Sequence, residues 1–82
     1  MITVEVSGAG DSGQSEAEVE IFCDAEGLAL LSRQLDQLKS GSSHVHLMTP
    51  AWAGDELGET PFGRGTLLIN HLRITMVPAH GK

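Results

Sequence analysis

Imidazoles at His44, His46 and His71, carboxylates at Asp55, Glu56 and Glu59, the indole of Trp52 and the thiol of Cys23 are the groups here able to do chemistry. His44 and His46 stand two apart, so on an extended strand both rings point to one face. With His71 on another strand they could form a three-histidine zinc site with water as fourth ligand. The plain alternative is a pair of sheet-face residues, hydrogen-bonded or touching a partner. Asp55, Glu56 and Glu59 could act as acid and base only if their surroundings split their pKa values. A segment carrying Gly54, Gly58, Pro61, Gly63 and Gly65 supplies neither burial nor fixed spacing, so solvated carboxylates, or carboxylates pairing with a basic partner, are the better readings. Trp52 either anchors an interface or covers the open edge of a small core. Cys23 shares its parity with Val19 and Ile21, which predicts a buried structural thiol despite its place just before a helix N-terminus. Ser42 and Ser43 lack a nucleophile-elbow pattern, and neither Gly8-Ala9-Gly10 nor Gly63-Arg64-Gly65 has the strand-glycine-helix context of a phosphate loop. His80 lies in the tail.

The elements that must position these groups follow from hydrophobic period. Ile2, Val4 and Val6 alternate with Thr3 and Glu5, as in a half-buried strand. Residues 7–16 are rich in Gly, Ser and Asp and read as a flexible loop. Residues 17–23 alternate again, so the two strands are expected to pair antiparallel. At Asp24 the period changes: Leu28, Leu31, Leu35 and Leu38 form one helical stripe, widened by Leu30. Asp24 suits the N-cap, Glu26 and Lys39 complement the dipole, and Gly41 suits a left-handed C-terminal position. His44 to Met48 is a strand with Val45 and Leu47 on one face and His44, His46 and Met48 on the other. Thr49 to Gly65 is a connection longer than the roughly 12–15 residues beyond which loops are usually functional or mobile, with a short helical turn expected at Asp55-Glu56-Leu57. Thr66 to Val77 closes the sheet, with a bulge near Asn70, and residues 79–82 are a tail. The expectation is one α+β domain over residues 1–82. It has the order β-β-α-β-β, with one helix on one face of a small antiparallel sheet of about four strands.

Composition narrows the function. A chain of 82 residues buries only roughly 60 % of its unfolded surface and has little volume for a deep cleft, which argues against a monomeric enzyme. The net charge of −6 repels phosphate backbones, so no nucleic acid is expected as partner, while a basic protein would be steered into contact. Nucleases are basic around their grooves, so an anti-nuclease inhibitor is one use for this charge; solubility is the plain alternative. One cysteine excludes an internal disulfide. The absence of a basic-apolar leader and of any long apolar run leads to the expectation of a cytoplasmic protein with no membrane partner. Open sheet edges leave a homodimer possible.

The segment His44-Val45-His46-Leu47-Met48-Thr49-Pro50-Ala51-Trp52-Ala53-Gly54-Asp55-Glu56-Leu57 resembles the central signature of the bacterial immunity protein 32 family. Cys23-Asp24-Ala25-Glu26-Gly27-Leu28 and Asn70-His71-Leu72-Arg73-Ile74-Thr75 agree with it, so the resemblance covers about residues 2–78. It implies a small α+β protein that binds and neutralises the toxin of a polymorphic toxin system, with no enzymatic activity and no cofactor. It leaves the toxin unspecified, and it makes His44, His46, Trp52, Asp55 and Glu56 candidates for the family's characteristic surface. Met48, as a second apolar anchor beside Trp52, and Glu59, as further negative charge, complete the expected partner-binding set. The competing expectation is a small metal-binding protein or enzyme using His44, His46 and His71.

Overall fold

The computed structural model describes residues 1–8 and 17–78. The loop expected over residues 7–16 lies outside them except for its first two residues, and the tail expected over 79–82 lies outside them entirely. Ser7, read as the start of that loop, is the last residue of β1.

The described elements are β1 (Ile2–Ser7), β2 (Glu18–Cys23), α1 (Ala25–Lys39), β3 (His44–Met48), a 3-10 turn at Pro50–Trp52, β4 (Leu67–Leu68) and β5 (His71–Thr75). The fold is α+β with antiparallel pairing throughout, as the periodicity predicts. β1 lies between β2 and β4, while β3 pairs with β5. The closing strand divides where a bulge was expected. Ile69 N–H still donates to the Val4 carbonyl at 2.8 Å, but the Asn70 carbonyl already accepts from Thr49 N–H at 3.0 Å. Over that step the chain changes partner from β1 to β3, and one strand becomes two.

The ends of α1 follow from their residues. The Asp24 carboxylate accepts from Gly27 N–H at 2.8 Å, the N-cap bond, and Glu26 lies in the first turn. At the other end Gly41 takes φ 117°, with Gly41 N–H to the Leu38 carbonyl and Ser42 N–H to the Gln37 carbonyl, the paired closure of a Schellman motif. The buried face is rotated from the expected stripe. Gly27 and Leu38 are buried and Leu31 partly so, whereas Leu28 and Leu35 are exposed. The cause is Gly27: a Cβ there would lie 2.0 Å from the Met1 carbonyl oxygen and 2.8 Å from Ile2 Cγ1. Without that atom the first turn settles directly on the start of β1. Gly27→Ala should therefore lower the melting temperature by on the order of 10 °C, even though alanine gains about 1 kcal/mol in helix propensity. Thermal unfolding followed by circular dichroism decides it; an unchanged or raised midpoint contradicts this packing.

The core joins Ile2 and Val4 of β1, Leu38 of α1, Val45 and Leu47 of β3 and Leu57 of the long connection, with Leu30, Leu31, Ile69, Leu72 and Ile74 packed around it. The connection is thus part of the fold. Leu57 N–H donates to the Met48 carbonyl at 3.1 Å and Gly58 N–H to the Ile2 carbonyl at 2.6 Å. The Asp55-Glu56-Leu57 stretch forms bends, and the helical turn lies earlier, at Pro50–Trp52.

The second face of β1, read as open, is closed: Thr3 and Glu5 are each 1 % exposed. Segment 62–66 folds over them, and Phe62 stacks on Phe22 with ring centroids 5.7 Å apart. Conversely β2 is almost wholly exposed, Cys23 included, which corrects the buried thiol expected from parity. The reason is position. β2 is an edge strand, and α1 lies more against β3 than against β2. Among the described residues no helix is long and apolar enough to cross a membrane.

Candidate functional site

Alternation along β3 sends Val45 and Leu47 into the core and leaves His44, His46 and Met48 on the opposite face, half-buried. The β3–β5 register sets Met48 opposite His71, His46 opposite Arg73 and His44 opposite Thr75. The three histidines therefore meet on one outward face. His44 and His46 make an edge-to-face contact with centroids 4.8 Å apart, and the His46 and His71 rings stack at 4.9 Å. Trp52 continues the row, its ring 5.7 Å from that of His71.

One nitrogen of each ring is bonded to a neighbour. His46 Nδ1 and His71 Nε2 share a hydrogen bond of 2.7 Å, and His44 Nδ1 lies 2.9 Å from Ser43 Oγ. A bond between two imidazoles needs one donor and one acceptor, so both rings cannot be protonated while it stands. Burial, and then the positive charges of His44, His71 and Arg73, hold the His46 pKa below its ordinary value. The His46 ring therefore favours its neutral form. Among the described residues no group of three or more His, Cys, Asp and Glu is placed to hold a metal ion. The three imidazoles converge as expected for a metal site, but two of their donor atoms are spent on each other.

The turn that carries Trp52 is stiff. Trp52 N–H and Gly54 N–H both donate to the Thr49 carbonyl, at 2.9 and 3.0 Å, and Ala53 N–H donates to the Pro50 carbonyl at 2.9 Å. Thr49 is fully buried, its hydroxyl donating to Asn70 Oδ1 at 2.7 Å. Ala53 sits at φ 68°, a left-handed conformation uncommon for a residue with a side chain. Gly54 lies so close to β3 that a Cβ would be 2.6 Å from the Met48 carbonyl oxygen.

The acidic residues divide by role. Glu56 accepts from Met48 N–H at 3.0 Å and Glu59 from Ala51 N–H at 2.7 Å, so both brace the connection. Asp55, next to Glu56 in the chain, stays exposed. The carboxylate that most shapes this region is one the sequence reading passed over. Glu5 accepts from Phe62 N–H at 2.9 Å, Gly63 N–H at 3.0 Å, Thr66 Oγ1 at 2.7 Å and Thr3 Oγ1 at 2.7 Å. Burial alone would raise its pKa, but these bonds outweigh it and bring the value down to about 2. The available signal was a glutamate flanked by apolar residues in β1, together with a threonine beside the glycine pair Gly63 and Gly65.

No curated protein and no solved structure matches the chain. The family profile described as immunity protein 32 matches residues 18–72, from the start of β2 through α1, β3, the Trp52 turn and its braces to His71 and Leu72. That span is more than half of the chain and takes in three histidines, the tryptophan and the acidic cluster, so the chain belongs to the immunity protein 32 family.

Proposed function

We propose that this chain binds a cognate bacterial toxin and neutralises it by covering its functional surface with the His44–His46–His71 face and the Trp52 turn, making and breaking no bond. Toxin neutralisation is the general role of immunity proteins, and membership of the family supports it. The observation that carries the choice of face is Trp52. It is 54 % exposed, lies against His71 and is held by a stiff turn, so its indole is presented to a partner at little further cost in conformational freedom. Met48, opposite His71 in the β3–β5 register, and the histidine rings share the outward face that Trp52 continues. Asp55 supplies negative charge at its margin, while Glu56 and Glu59 contribute charge and hold the scaffold.

The partner we infer is a basic domain, because the chain carries a net charge of −6. A nuclease fits, since a groove that holds phosphates must be basic. The cytoplasm of the producing bacterium is where such protection would act. The metal-site alternative gains no support from the bonded His46–His71 pair.

Charge at the margin of an interface acts chiefly on encounter and is screened by salt. Asp55→Lys should weaken toxin binding by about tenfold at low ionic strength and by less than about threefold at 0.5 M salt. Surface plasmon resonance at the two salt concentrations reads this. An effect independent of salt, or none, would place Asp55 outside the interface.

A further inference from the structure

β2 forms the outer edge of the β2–β1–β4 ladder, and its free edge is unpaired among the described residues. Register shows which backbone groups point outward. The Met1 carbonyl accepts from Asp24 N–H, whereas the Ile2 and Val4 carbonyls turn to the other side of β1, to Gly58 and Ile69. Thr3, Glu5 and Ser7 therefore face β2, and their partners Phe22, Glu20 and Glu18 turn their N–H and C=O groups inward. Val19, Ile21 and Cys23 aim theirs outward. The side chains of these same three residues lie on the core side of the sheet with Ile2 and Val4, yet Val19 is 64 % and Ile21 41 % exposed. Free donors and acceptors and an uncovered apolar row thus coincide on one strand, the arrangement that invites strand addition.

We propose that two copies of this chain pair through β2, antiparallel about a two-fold axis at Ile21. In that register Ile21 faces the partner's Ile21 and Val19 faces the partner's Cys23, each pair exchanging both of its backbone hydrogen bonds. Glu20 falls opposite the partner's Phe22, so no carboxylates oppose each other at the centre. Moving the axis to Glu20 would set two glutamates face to face, and moving it to Phe22 would shorten the ladder and set Glu20 against the partner's Asp24. The Ile21 register is the one the side chains favour. At its ends Glu18 meets the partner's Asp24, and both copies are acidic, so the association is opposed by charge. The joined strands and their side chains would bury on the order of 1,000 Å², the low end of specific interfaces, and with like charge on both copies the dimer expected is a weak one, of about micromolar Kd. The histidine face and Trp52 take no part, so this interface is independent of the toxin reading.

Sedimentation equilibrium of the chain alone, from about 1 to 200 µM, tests it. The expected result is a monomer–dimer equilibrium that tightens as salt rises from 0.05 to 0.5 M, the reverse of the toxin complex, and that Ile21→Lys abolishes by at least about tenfold in Kd. In a Cys23→Ser background, Ile21→Cys should give a disulfide-linked dimer on mild oxidation, because paired Cα atoms at the axis lie about 5.5 Å apart. A monomer throughout the range, a dimer indifferent to Ile21→Lys, or failure of Ile21→Cys to cross-link each overturns the proposal. A monomer that still neutralises its toxin would overturn it and leave the toxin reading standing.

Discussion

Trp52→Ala is expected to weaken toxin binding by roughly 100-fold or more while shifting the melting temperature by less than about 3 °C. The two halves of that expectation come from one observation: Trp52 is 54 % exposed, and its aromatic neighbour is the half-buried ring of His71 on the outward face. Core burial of Ile2, Val4 and Leu47 does not depend on it. A tryptophan held in a turn closed by three backbone hydrogen bonds arrives at an interface already ordered, so nearly all of its desolvation appears as affinity. His71→Ala should follow in the same direction with a smaller effect, since it removes both the ring beneath Trp52 and the partner of His46. Isothermal titration against the toxin domain, beside thermal melts of each variant, separates binding from folding. Loss of less than about threefold for Trp52→Ala would move the docking face elsewhere.

Removing the Glu5 carboxylate should have the largest effect on stability. Glu5→Ala leaves two backbone amides and two hydroxyls without their acceptor, in a place from which water is largely excluded, and a fall in melting temperature of about 15 °C or more is expected. The pH dependence has a definite sign. The folded pKa is about 2 against an ordinary value of 4.5, so the stabilisation is complete above about pH 4.5 and is lost as pH falls towards 2. Glu5→Gln should flatten that acid limb, because the amide keeps an acceptor oxygen and does not titrate. His46 works in the same direction at higher pH: its pKa is held low, so acidification through the ordinary histidine range favours the unfolded chain and strains the His46–His71 bond. Urea unfolding at pH 7, 4.5 and 3 measures both. Parallel acid limbs for the parent chain and Glu5→Gln would remove Glu5 from this role.

The sequence was most legible where a local period carries the information. Alternation in 2–6 and 44–48 and the three-four spacing of leucines after Asp24 yielded the strands, the helix and the class of fold, because each element must hide its own apolar side. Alternation also brought His44 and His46 to one face; only the pairing of β3 with β5 could bring His71 to them. What stayed hidden depends on elements far apart in the chain. Glu5 reads as a solvent-facing strand residue until segment 62–66 is folded over it. Cys23 and Ile21 read as buried until β2 is known to lie at an edge. Glu56 and Glu59 read as free charges because their amide partners, Met48 and Ala51, lie back across the turn. The rotation of α1 away from Leu28 and Leu35 rests on a missing atom at Gly27, which a stripe of leucines cannot reveal.

The direct test is to titrate the cognate toxin domain that we propose as partner with the purified chain, following complex formation and toxin activity together. The account predicts a saturable complex in which activity falls in step with occupancy, and in which Trp52→Ala shifts both curves equally. A toxin that remains fully active in the presence of excess folded chain, with no complex detected at micromolar concentrations, would contradict it.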